Sequence, residues 1–448
     1  MAANTEIISP STESRTAGNE STPQLEMPAP GANRALSLLL AINLFNYVDR
    51  YILSAVEPKM QAYFKVSQGK MGLAQTAFLL SYMIFSPVFG FLGERMSRWF
   101  LVGVGVTIWS LASGATGLAD SFTILIITRC FVGIGEAAYG PIAPALISDL
   151  FPVKRRGQVL SLFYLAIPVG GALGYAFAGI MLKYWSWRAA FYAVVPPGIF
   201  LGVMAFLKKD IRNLSETGNS RKPKLADYLI LLRTPSYVLN TLGMASMTFA
   251  VGGIAFWMPH YIVEYRKYST LTEVNLTFGG ITVVAGLIAT LAGGWAGDKL
   301  LKKHSGAYFI VSGLGMLLAF PLLLLMLVVP FPYAYGVLFL TVSCLFFNTG
   351  PTNAALANVT HTSMRATAFA INIFMIHVLG DAISPPLIGW MSDRYSMNFA
   401  FQVVSVLILV GGGFWLWGAK YLGHDTAEAP NRLRLPQGLE IIRPAEKQ

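Results

Sequence analysis

Twelve stretches of this 448-residue chain are each apolar over a length that matches the hydrocarbon thickness of a bilayer. A helix rising 1.5 Å per residue needs roughly 20 such residues to cross it. By that ruler the first six spans fall at 35–56, 72–93, 99–118, 121–144, 157–182 and 188–207. The second six fall at 236–262, 276–298, 307–329, 333–356, 366–388 and 398–420. Backbone groups find no water inside hydrocarbon, so open segments of this kind must be helical. Charged residues are only 12% of the chain, against about a quarter in a soluble domain. The expectation is an all-α integral membrane protein with twelve transmembrane helices.

An even number of spans puts both termini on one side. Connectors on that side hold sixteen Lys and Arg residues, among them Arg95, Arg98, Lys154, Arg155, Arg156, Lys302 and Lys303, whereas the opposite connectors hold eight. Positive charge is retained in the cytoplasm, so both termini are expected there. The same clustering explains the net charge of +11 and argues against a nucleic-acid partner. Residues 1–33 contain no apolar run, so the first span is expected to direct insertion.

The two sets of six echo each other. Gly90-Phe91-Leu92-Gly93-Glu94-Arg95 follows span two, and Gly294-Trp295-Ala296-Gly297-Asp298-Lys299 follows span eight, an offset of 204 residues (294 minus 90). Arg155-Arg156-Gly157-Gln158 precedes span five, and Met364-Arg365-Ala366-Thr367 precedes span eleven, an offset of 209 (365 minus 156). Two unrelated motifs recurring at nearly one offset indicate a duplication. The expected units are a disordered N-terminus 1–33, a six-helix half 34–207, a linker 208–235, a second half 236–421 and a tail 422–448.

At these motifs the chain resembles the major facilitator superfamily, and more narrowly its spinster family. GFLGERMSR at 90–98 is similar to the superfamily's cytoplasmic motif, with Glu94 in place of Asp and Ser97 in place of Gly. The spinster resemblance rests on NYVDRYILSAVEP at 46–58, TRCFVGIGEAAYGPIAPALISDLF at 128–151, FYLAIPVGGALGY at 163–175 and HVLGDAISPPLIGWMSDR at 377–394. It covers roughly residues 34–421. It implies two pseudo-symmetric six-helix halves with a site between them near the midplane, and alternating access. It also implies proton-coupled movement of an amphipathic lipid such as a lysophospholipid or a sphingoid-base derivative. By the same resemblance Gly90, Glu94, Arg95, Arg98, Asp149 and Arg156 latch helix ends, echoed by Asp298 and Arg365.

Two acid–base clusters stand inside the spans: Asp49-Arg50 in span one, and Arg129 with Glu136 in span four. A charge at membrane depth costs at least ~2.5–3.5 kcal/mol and marks an ion or substrate path. Asp49 lies ~21 Å from the terminal side of its span and Arg129 ~22 Å, so an Asp49–Arg129 pair is expected. Glu136, two turns on from Arg129, shares its face. Arg50 is rotated ~100° from Asp49 and faces either the cavity or a neighbouring helix. A carboxylate that gains and loses a cation partner changes its proton affinity, which would couple proton and substrate movement. The alternative is a buried ion pair that only fixes packing.

In span eleven His377 and Asp381 are four apart, hence on one face, and suit either a proton relay or a structural hydrogen bond. Trp257, Asn348 and Asn353 are candidate substrate contacts in spans seven and ten. Those two spans carry no charge in their middles, which predicts an apolar wall facing a charged one. Gly170, Gly171 and Gly174 are expected to ease close packing and rocking.

Other chemistry is excluded. Gly133-Ile134-Gly135-Glu136-Ala137-Ala138 fits a dinucleotide fingerprint but lies in a span without a preceding strand. Gly69-Lys70 lacks the first glycine of a phosphate-binding loop, and the five histidines show no metal spacing. Cys130 and Cys344 both lie inside spans, so no disulfide is expected. No enzyme activity, cofactor or metal is expected. The expected partners are an amphipathic substrate, protons and the bilayer, for a monomer in a bacterial inner membrane. A symporter of small organic anions, gripped by Arg50 and Arg129, is the alternative; a non-transporting receptor is a third.

Overall fold

A computed structural model describes residues 27–151, 159–160, 162–210, 225–361 and 365–429. Among the described residues, twelve helices are long and apolar enough to cross a membrane: α1 (Ala32–Phe64), α2 (Gln68–Gly93), α3 (Arg98–Gly117), α4 (Phe122–Ile147), α5 (Leu162–Tyr184), α6 (Trp187–Phe206), α7 (Pro235–Tyr265), α8 (Leu271–Leu301), α9 (Ala307–Val328), α10 (Tyr333–Asn358), α11 (Ala368–Arg394) and α12 (Met397–Glu428). No strand occurs among the described residues. Several spans overrun the hydropathy ruler. α1 continues to Phe64, past the expected end at 56, and α12 continues to Glu428, into the stretch read as a tail. Polar side chains inside a protein bundle do not need to end a helix where hydropathy falls.

Small residues set the packing inside each half. A Cβ on Gly135 would lie 2.6 Å from the Trp109 nitrogen, so α4 and α3 touch backbone to backbone. A Cβ on Gly243 would meet the Trp415 ring at 2.6 Å, which seats α12 on α7. Gly170 and Gly174 press on Tyr47 and Val48 of α1. They therefore serve the close packing expected of them, within the first half, and not the contact between the halves. The α5 face turned to the other half is instead Ala172 and Gly179, against Gly279 and Thr272 of α8.

The halves meet through two equivalent crossings, α2 on α11 and α5 on α8. In the first, a Cβ on Gly72 would fall 2.5 Å from the Pro385 carbonyl carbon, and one on Gly389 would fall 2.5 Å from Gln68. In the second, Thr272 donates to the Gly179 carbonyl at 2.9 Å. Exchanging the halves maps α2 onto α8 and α11 onto α5, so one crossing is the pseudo-twofold copy of the other.

Candidate functional site

A cavity of about 420 Å³ lies between the halves. α1 contributes Asn43, Asn46, Tyr47, Arg50, Tyr51 and Ser54, α2 contributes Gln75, Leu79 and Tyr82, and α4 contributes Glu136 and Tyr139. Phe163, Tyr164 and Ile167 of α5 complete the first-half wall. The opposite wall is Gly252, Ala255 and Phe256 of α7 with Ile373, His377, Asp381 and Pro385 of α11. Hydrogen bonds between the halves, among the described residues, lie on the part of the bundle remote from the termini: Asn275 to the Ala55 carbonyl at 2.9 Å, Thr76 to the Ala382 carbonyl at 2.5 Å, and Tyr175 to the Ala255 carbonyl. The halves are thus closed on that side.

Arg50 and Glu136 form an ion pair in the cavity wall. Glu136 is 1% exposed. The Arg50 guanidinium also lies over the Phe78 and Tyr47 rings, 4.9 and 5.0 Å from their centroids, where the ring quadrupole attracts it. Asp49 is fully buried and accepts a hydrogen bond from Ser113 of α3. Arg129, also fully buried, stands 5.1 Å over the same Phe78 ring, and none of its three guanidinium nitrogens has a hydrogen-bond partner. The expected Asp49–Arg129 pair is therefore not formed. The rotation of α1 decides this: it turns Arg50 into the cavity, toward Glu136, and Asp49 toward α3. Phe78 holds the two cations apart, and the four charges sum to zero.

On the opposite wall, His377 Nδ1 is 2.8 Å from Asp381 Oδ1. α11 winds loosely here, as a π-turn over His377–Asp381 with Gly380 off helical geometry at φ −108° and ψ −108°. A Cβ on Gly380 would meet Thr248 at 2.9 Å, so the distortion lets α11 pack onto α7. The second-half wall is not apolar, as expected from α7 and α10, because α11 brings this pair. Trp257, Asn348 and Asn353 do not line the cavity. Trp257 is fully buried and donates to the Pro385 carbonyl at 2.8 Å. Asn348 and Asn353 donate to the Leu345 and Thr349 carbonyls of their own helix. A short polar side chain in a helix finds those carbonyls before it finds a ligand.

Residues 39–385 match the Major Facilitator Superfamily. The chain is 34% identical over 446 residues to human Protein spinster homolog 1, covering 90% of this chain and 83% of that protein. It is 31% identical over 436 residues to the Sphingosine-1-phosphate transporter SPNS2 of Danio rerio, with 89% and 86% covered. The chain belongs to the spinster family of the Major Facilitator Superfamily.

Solved structures agree on the fold. A bacterial homolog of the human lysosomal transporter Spinster, in an inward-facing and unoccupied conformation, superposes with a TM-score of 0.78 at 19% identity, covering 88% of this chain and 98% of that one. A D-xylose-proton symporter gives 0.68 at 16% identity, with 85% and 96% covered. As a spinster-family member, the protein is a multi-pass membrane transporter and not an enzyme.

At the terminal side of the bundle, Arg98 pairs with Asp149, and its backbone N–H donates to Asp210 at 2.9 Å. Arg95 instead lies over the Phe91 ring at 3.9 Å. Gly90 has open space where a Cβ would stand. Asp298 accepts from the Tyr308 hydroxyl at 2.9 Å. Arg156 lies outside the described residues, as do the side chains of Glu94 and Arg365. Sequence reasoning missed Ser113, Phe78, Tyr47 and Tyr82. A small hydroxyl or an aromatic ring in an apolar span carries no signal of its own until a buried charge is placed beside it.

Proposed function

We propose that the protein is a proton-coupled transporter of an amphipathic lipid, a lysophospholipid or a sphingoid-type lipid, that works by alternating access. The reading is carried by one observation: the Arg50–Glu136 pair faces a cavity between the halves that adjoins an apolar slot. Tyr51 and Ala255 belong to both, and the slot continues along Val251, Ile254, Phe278, Val342 and Leu345. A polar head beside Arg50 would leave its tail facing these apolar side chains, and the slot, about 30 Å³ in this state, would widen to admit it. The Danio rerio relative named as a Sphingosine-1-phosphate transporter supports this class of substrate.

An anionic head that binds Arg50 competes with Glu136 for the guanidinium. The incoming anion adds one negative charge to a wall whose charges otherwise balance, and a proton taken up at Glu136 restores that balance. Rocking of the halves exposes the site to the other side, the head leaves, and Arg50 expels the proton by pairing again with Glu136. Asp49 and Arg129 keep the surrounding charge balanced, and His377 with Asp381 relays protons on the opposite wall. Arg98 with Asp149, together with Gly90, Glu94, Arg95, Arg156, Asp298 and Arg365, fasten the terminal side when the remote side opens. The protein acts as a monomer in a bacterial inner membrane, with its termini cytoplasmic, as the distribution of Lys and Arg favours.

Flux into proteoliposomes tests the reading. An imposed pH gradient should stimulate movement of a labelled lysophospholipid or sphingoid phosphate. Gradient-driven uptake of a sugar acid without lipid movement would favour the organic-anion alternative.

A further inference from the structure

The remote side of the bundle carries a second buried acid–base cluster that the transport cycle above does not use. Glu57 of α1 is fully buried, and its Oε2 lies 2.7 Å from Nδ1 of His260 of α7, itself 3% exposed. The other oxygen of Glu57 has no hydrogen-bond partner. His260 Nε2 lies 3.1 Å from the side-chain amide of Gln68. Gln68 in turn contacts the Tyr265 hydroxyl at 3.1 Å, and Tyr265 bonds Ser392 at 2.8 Å. The backbone N–H groups of Gln68 and Gly69 donate to the Asp393 carboxylate at 2.9 and 2.8 Å. An acid from the second half thus caps the start of α2 in the first, where the helix dipole favours negative charge. The chain of contacts joins α1, α2, α7 and α11 across the gap that must open when the remote side opens.

We propose that Glu57 and His260, linked through Gln68 to Asp393, form a proton-responsive latch that holds the remote side closed. Its access is built in. A crevice of about 410 Å³ lined by Gln61, Gln68, His260, Glu264 and Tyr265 reaches the cluster from that side. The neutral imidazole donates from Nδ1 to Glu57 and accepts at Nε2 from the Gln68 amide nitrogen. A proton from crevice water adds at Nε2, and a half-turn of the Gln68 amide then presents its oxygen to the new N–H. Every partner is kept, and the Glu57 contact changes from a neutral N–H donating to a carboxylate into an imidazolium–carboxylate ion pair, which adds Coulomb attraction to the hydrogen bond.

The charged groups acting on the imidazole are acids, Glu57 from α1 and Glu264 on its own helix, while Asp393 of α11 is held by the Gln68 and Gly69 backbone. α2 offers only the uncharged Gln68 at this point. Arg266 is tied elsewhere, to the Leu327 and Val329 carbonyls at 2.8 and 2.6 Å. Protonation therefore tightens the latch, and deprotonation loosens it, in the interval where histidine changes charge.

The latch is independent of which substrate moves, so its test reads conformation and not flux. Spin labels on Lys59→Cys and Tyr395→Cys, in a chain carrying Cys130→Ala and Cys344→Ala, report the distance across the remote side in nanodiscs. Raising the pH from about 5.5 to about 8 should increase the long-distance population about fivefold. His260→Gln keeps a hydrogen bond but cannot titrate, and should flatten that dependence. Glu57→Gln should raise the long-distance population at the acidic end. A pH-independent distribution in the parent protein would overturn the proposal without recourse to any variant. So would an unaltered dependence in His260→Gln, or an unaltered distribution in Glu57→Gln.

Discussion

Asp49 and Arg50 are neighbours in the chain and belong to different environments. Arg50 faces the cavity and Glu136, while Asp49 faces α3 and takes a hydrogen bond from Ser113. A hydrogen bond to a charged group contributes about 1.5–3 kcal/mol, and leaving a buried carboxylate without one costs at least as much. Ser113→Ala should therefore lower the melting temperature in detergent by several degrees while sparing the cavity wall; an unchanged melting temperature would show that Asp49 does not depend on this hydroxyl. Both residues were legible in the sequence as charges at membrane depth. Which of them would meet which partner was not, because a one-residue step turns a side chain by ~100° and only the neighbouring helices fix the phase. Glu57 escaped notice for a related reason. It falls one residue past the hydropathic end of span one, where charge costs little, yet α1 continues to Phe64 and buries it.

At the scale of helices, the crossing of α2 over α11 depends on glycines that admit no side chain. A Cβ on Gly389 would stand 2.5 Å from the Gln68 carbonyl carbon and 2.7 Å from the Gly69 nitrogen. Backbone does not yield as a flexible side chain does. Gly389→Ala should wedge this crossing apart and raise the fraction of molecules open on the remote side, as read by the spin-label distance between Lys59→Cys and Tyr395→Cys. A distribution identical to the parent would mean that the crossing relaxes without opening. The twelve spans themselves were readable because the bilayer fixes their length and forces their backbone into helices. The loose turn of α11 at His377–Asp381 contains Gly380 and precedes Pro385-Pro386, residues that disfavour a regular helix. That it would carry the pair into the cavity wall, while α10 stayed outside, depended on the packing of α11 against α7.

For the whole molecule, two six-helix halves closed on one side imply an orientation and a cycle. The duplication was visible in the echo of the 90–95 and 294–299 motifs, but the state of closure was not, because both states bury the same apolar spans. The charge asymmetry of the connectors predicts that a cysteine at Lys303 reacts with a membrane-impermeant maleimide only from the cytoplasmic side. One at Lys59 should react only from the opposite side, and the reverse pattern would invert the topology proposed here.

The central claim is that Glu136 exchanges Arg50 for a proton as substrate binds. Glu136→Gln in proteoliposomes tests it most directly, because the amide still bonds the guanidinium but carries no proton to and fro. The account predicts that a pH gradient no longer stimulates lysolipid flux, whereas exchange down the lipid gradient persists. Flux that still rises with the pH gradient as in the parent protein would contradict it.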